Sequence, residues 1–137
     1  MKEYLSELKQ EALHISTKSL GPIGFDYRRR TKIERMLFII VKQYCTDKFN
    51  YNLGGLSYVH QKEFTKYMES KSYLPIDIQI VKEAFKISEL ICDIASSDPY
   101  AREEAMEELG GSIYKIFENL SNMIFNFISN VENRISV

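Results

Sequence analysis

Apolar residues recur every three or four positions along almost the whole chain, the mark of amphipathic helices rather than strands. Leu5, Leu8, Ala12 and Ile15 fall on one stripe of a first helix, which Gly21-Pro22 and Gly24 are expected to end. Asp26 is a candidate N-cap for a second helix. There Ile33, Met36, Leu37, Ile40, Val41 and Tyr44 share one face, and Phe38 and Ile39 widen it. A face that broad predicts a central helix touched from several sides. Asn50 to Gly55 has the composition of a loop. A third helix is predicted from about Leu56 to Ser70, burying Val59, Phe64, Tyr67 and Met68 with His60 or Glu63 at its edge.

Ile76, Ile78 and Ile80 alternate as a strand would, but Ile80, Ala84, Ile87, Ile91 and Ile94 continue at helical period. With no partner strand evident, Pro75 is read as the first-turn proline of a fourth helix reaching Ser96. Asp98-Pro99 predicts the start of a short acidic helix, with Glu103 and Glu104 near its positive end and Gly110-Gly111 as its stop. Ile113, Phe117, Leu120, Ile124, Phe127 and Val131 mark a last helix. Met123, Phe125 and Ile128 lie off that stripe, so a second side must also be buried, through the same fold or through a second copy of the chain. The fold class is all-α: a compact bundle of five to six helices, mostly antiparallel because the connections are short, in a single helical domain over 1–137.

Composition changes this picture little. A chain of 137 residues with 45% apolar and 27% charged positions fits one globular domain. Nine tyrosines exceed what a small helical core readily hides, and Tyr51, Tyr58 and Tyr100, near loops and helix starts, are candidate anchors for a partner. Cys45 and Cys92 sit within apolar helical patterns and are read as buried free thiols. No Cys-x-x-Cys pair or closely spaced framework points to zinc or disulfides. The N-terminus lacks the apolar run of a signal peptide, and Met36 to Val41 falls far short of the ~20 residues of a membrane span. A cytoplasmic protein without a membrane partner is expected.

Charge is uneven beneath a net −1: residues 1–50 hold 10 Lys/Arg against 6 Asp/Glu, and the remainder hold 8 against 13. The dense positive cluster is Arg28, Arg29, Arg30, Lys32 and Arg35, at the start of the second helix. Cations there oppose the helix dipole, and guanidinium forks suit carboxylates or phosphates of a partner. The plainer expectation is internal pairing with Glu34 or with the acidic segment Glu103, Glu104, Glu107 and Glu108. Glu103-Glu104-Ala105-Met106-Glu107 resembles half of the magnesium site of all-α nucleotide pyrophosphohydrolases, where paired carboxylates hold a hard cation. The companion Glu-x-x-Asp is missing: Glu118 meets Ser121 at that offset, and Glu132 meets Ile135. A single His60–Glu63 pair cannot assemble a di-iron site, and neither a glycine-rich phosphate loop nor a nucleophile elbow occurs.

Neither metal nor cofactor is expected, and no enzyme activity. The expectation is a small binding module that contacts another protein stoichiometrically. An immunity or antitoxin protein, or an inhibitor encoded by a phage or mobile element, fits that description, with a toxin, defence or phage protein as partner. Self-association through the C-terminal helix is a further expectation. The runner-up is a helical subunit of a nucleic-acid assembly using Arg28 to Arg35. A net-acidic chain argues against it.

Overall fold

Two helices of the computed structural model begin at an aspartate cap that the sequence supplies. The structure describes residues 1–16 and 25–135, with the side chains of 113 and 114 excepted. Among the described residues there are six helices and no strand: α1 Lys2–Ser16, α2 Tyr27–Phe49, α3 Tyr58–Glu69, α4 Pro75–Ile94, α5 Pro99–Glu108 and α6 Ile113–Ile135. The stop expected at Gly21-Pro22 and Gly24 lies outside the described residues. The Asp26 carboxylate accepts the Arg29 backbone N–H at 2.9 Å and opens α2. Asn50 closes α2 with φ 51°, and the N–H groups of Asn50 and Tyr51 reach back to the Thr46 and Cys45 carbonyls. Pro75 and Pro99 occupy first turns, and Asp98 accepts from the Tyr100 N–H. Gly110 and Gly111 both take positive φ, and the Gly111 N–H donates to the Met106 carbonyl. A side chain at either glycine would be strained.

Side-chain pairs between helices fix their directions. Lys9 pairs with Glu132 and the Ser121 hydroxyl donates to the Ala12 carbonyl, so α1 and α6 run antiparallel. Arg134 meets Asp77 and Asn130 meets Glu83, which makes α4 antiparallel to α6. Tyr44 meets Asp77 and Cys92 meets Glu34, which makes α2 antiparallel to α4. α1 also packs on α2, closing a four-helix ring α1–α2–α4–α6, while α3 and α5 lean on α4 from outside. The stripes converge inside this ring: Leu8, Ile15, Ile33, Leu37, Ile40, Ile87, Leu120, Ile124 and Phe127 are essentially inaccessible to water. Burial of such side chains contributes roughly 1.5–3 kcal/mol each. No helix among the described residues is long and apolar enough to cross a membrane.

Several expectations are corrected. α3 begins at Tyr58, because Ser57 takes the extended N-cap conformation, and Val59 on the second helical position is 60% exposed. Ile128 is fully buried by the chain's own helices, and Met123 and Phe125 pack half-buried against the core. The apolar surplus of α6 is therefore met largely within one chain. Cys45 is buried as expected, but Cys92 is exposed, on the outer face of α4 beside buried Ile91.

Candidate functional site

α3 is only 12 residues long, against 23 for α2 and 20 for α4. Its apolar residues seat it on one half of the α2–α4 pair: the Phe64 ring lies 5.8 Å from Phe49 and 6.0 Å from Phe85. Tyr51 stacks on Tyr67 at 4.7 Å, and the Tyr67 and Tyr73 hydroxyls both donate to the Phe49 carbonyl. Among the described residues no helix covers the other half of the pair. A cleft of about 920 Å³ opens there, between the N-terminal half of α2, the C-terminal half of α4 and the start of α3.

Helical spacing sets its lining. Thr31, Glu34, Arg35 and Phe38 of α2 face Phe85, Ser88, Glu89, Cys92 and Asp93 of α4. Leu56, Ser57, Tyr58 and Gln61 form the third wall. Phe38, Leu56 and Phe85 give an apolar floor, and Tyr58 stands 72% exposed on the rim with Lys62 over its ring at 5.5 Å. Across the cleft the Cys92 thiol donates to the Glu34 carboxylate at 3.3 Å. Although the residue as a whole is exposed, its thiol is partly withdrawn from water, and this first, then Glu34 and Asp93, push it up to about 11 against an opposing pull from Arg30. A thiol held protonated is a poor nucleophile. Alkylation of Cys92 by iodoacetamide at pH 8 is expected to run about tenfold slower than for an ordinary cysteine, because the higher nucleophilicity of its thiolate offsets part of the lost thiolate fraction. Cys45, pushed up to about 12 by burial, is expected to react only on unfolding. Mass-spectrometric rates with and without urea check both.

The Ser57 hydroxyl and His60 Nδ1 lie 2.8 Å apart, a serine–histidine contact the sequence left open. The two are the N-cap and third residue of α3, so the contact is local to the helix start, and Ser57 makes no side-chain bond to the backbone N–H groups there. The ring is wedged against Gly54 and Gly55, where an added Cβ at Gly55 would come within 2.7 Å of it. That close approach explains why both loop positions lack a side chain.

The arginine cluster is divided by the fold. Arg29 and Lys32 both reach the buried Glu11 carboxylate of α1, at 2.6 and 3.2 Å. Their internal partner is thus Glu11, and neither Glu34 nor the acidic segment. Arg30 lies over the exposed Tyr27 ring at 5.2 Å, Arg28 is exposed, and Arg35 lines the cleft. Of the tyrosines, Tyr58 borders the cleft and Tyr100 is 82% exposed on α5. Tyr51, expected as a partner anchor, instead packs its ring against Phe64 and Tyr67 as part of the α3 seat. Glu108 pairs with Lys86 at 2.8 Å, while Glu103 and Glu107 line a shallow hollow with Pro99, Arg102 and Met106, and Glu104 is exposed. Among the described residues no group of three His, Cys, Asp or Glu side chains is arranged to hold a metal ion. The sequence reasoning missed Glu34, Ser88, Glu89, Cys92 and Asp93 as site residues. Phe38, apolar yet off the main stripe of α2, was the available signal.

No family model, curated protein or solved structure matches this chain.

Proposed function

We propose that this chain is a non-catalytic protein-binding module of the immunity or antitoxin kind, or a phage- or mobile-element-encoded inhibitor, acting by one-to-one contact. The carrying observation is the α2–α4 cleft, which joins an apolar floor to an exposed tyrosine and to charges without ion pairs among the described residues. Interfaces combine an apolar, aromatic centre with a polar rim in this way. Glu11 occupies Arg29 and Lys32, which leaves fewer cations for phosphates and favours protein over nucleic acid. Two free thiols support a reducing, cytoplasmic setting.

Affinity capture from the native host, using wild type and a Tyr58→Ala, Arg35→Glu variant, tests the proposal. One protein captured by wild type, binding near one-to-one by calorimetry and at least about tenfold more weakly to the variant, is expected. Equal capture by both forms, or turnover of a substrate by the purified chain, overturns it.

A further inference from the structure

Phe85, Ser88, Glu89 and Cys92 follow one another at i, i+3, i+4 and i+7, so a single face of α4 lies along the cleft. Ser88 is only 8% exposed, yet its hydroxyl makes no hydrogen bond to any described residue. No buried side-chain oxygen or nitrogen among the described residues lacks a partner, so the Ser88 oxygen keeps contact with water at the cleft, where a polar group of a ligand can replace that water. Glu34, Glu89 and Asp93 line the same cleft against one cation, Arg35, and none of the four belongs to an ion pair among the described residues. The lining therefore carries a net charge of −2, beside an apolar floor. The Cys92 thiol, raised first by burial and next by Glu34 and Asp93, reports the same negative surroundings.

Resting on the protein-binding reading above, we infer that the cleft seats a basic amphipathic helix of the partner. One apolar side chain of that helix lies on Phe38, Leu56 and Phe85. A lysine or arginine beside it reaches between Glu34 and Glu89 and donates to the Ser88 hydroxyl. Helix-in-groove recognition works through apolar anchors at this spacing, and complementary charge sets which helices are accepted. A nucleic acid in the same place would bring phosphates against three carboxylates.

The probe is a synthetic leucine–lysine amphipathic peptide, with a leucine–glutamate peptide of identical pattern as control, read by fluorescence anisotropy. Wild type is expected to bind the lysine peptide at least about tenfold more tightly than its control. Glu89→Lys with Asp93→Lys is expected to remove or invert that preference, and Ser88→Ala to weaken the lysine peptide several-fold. A bulky maleimide on Cys92, which needs no substitution, should block the peptide. Equal affinity for the two peptides, indifference to charge reversal or to the maleimide, or tighter binding of a single-stranded oligonucleotide overturns the inference. Failure of the peptide alongside Tyr58- and Arg35-dependent capture of a host protein sinks this inference and leaves the function standing. Peptide binding without any captured protein does the reverse.

Discussion

Phe49→Ala is expected to lower the unfolding free energy by about 3–5 kcal/mol, the range for truncating a buried aromatic ring. That is a large share of the 5–15 kcal/mol that holds a typical domain folded. The ring is 1% exposed and edges against Tyr73 at 4.8 Å, Phe64 at 5.8 Å and Tyr44 at 6.4 Å. It therefore joins the end of α2 to α3 and to the segment leading into α4. The damage should be uneven. α3 rests on the rest of the fold mainly through Phe64, Tyr67 and Met68, whereas α1 and α6 pack extensively on each other. Hydrogen exchange is expected to accelerate most in α3, with the α1–α6 pair nearer its wild-type protection. The urea midpoint by circular dichroism gives the magnitude. If α1 and α6 lose protection while α3 keeps it, Phe49 does not seat α3. Because α3 forms one wall of the cleft, a loosened α3 should also weaken partner binding without touching any cleft residue.

The parts of this structure that were legible in the sequence are the parts set by local physics. The stripe Leu5, Leu8, Ala12 and Ile15 is buried as its spacing requires, and Asp26, Pro75 and Asp98 start the helices they were expected to start. The isoleucines at 76, 78 and 80 read equally as strand. The helical series that follows settles them as helix, leaving Ile76 exposed and Ile80 buried. What was not legible depends on neighbours distant in sequence. Glu11 sits between Leu8 and Ala12 on a core-facing stripe, and nothing local shows that Arg29 and Lys32 will neutralise it there. Cys92 follows buried Ile91, but one step along a helix turns the side chain by about 100°, here out of the core and into the cleft. The cleft itself is assembled from polar faces of α2 and α4 more than forty residues apart, neither of which stands out alone. It exists because α3 is too short to cover both halves of that helix pair.

Asp77→Asn is expected to destabilise the protein by about 2–3 kcal/mol at pH 7 and to flatten its stability profile in acid. Asp77 is 6% exposed at the first turn of α4, and it ties three helices together. Its carboxylate accepts from Arg134 Nε at 2.9 Å and from the Tyr44 hydroxyl, while Lys48 reaches the Arg134 carbonyl at 3.3 Å. Burial alone would push the Asp77 carboxyl up. The hydrogen bonds from Arg134 and Tyr44, with the charges of Arg134 and Lys48, outweigh it and hold the group below its ordinary value. A carboxyl whose folded value lies below its unfolded one contributes stability that is present above the unfolded value, near pH 4. That contribution disappears as pH falls through the folded value. Tyr44 works at the other end of the scale: burial first, then Asp77, push its phenol up, so its contribution is present below about pH 10 and lost as pH rises further. Urea midpoints from pH 7 down to 3 should therefore fall more steeply for wild type than for Asp77→Asn. Tyr44→Phe should leave most of the acid slope intact, because Arg134 still holds the carboxylate, and should soften the loss above pH 10. Matching acid slopes for wild type and Asp77→Asn would show that this buried carboxylate is not what ties α2, α4 and α6 together.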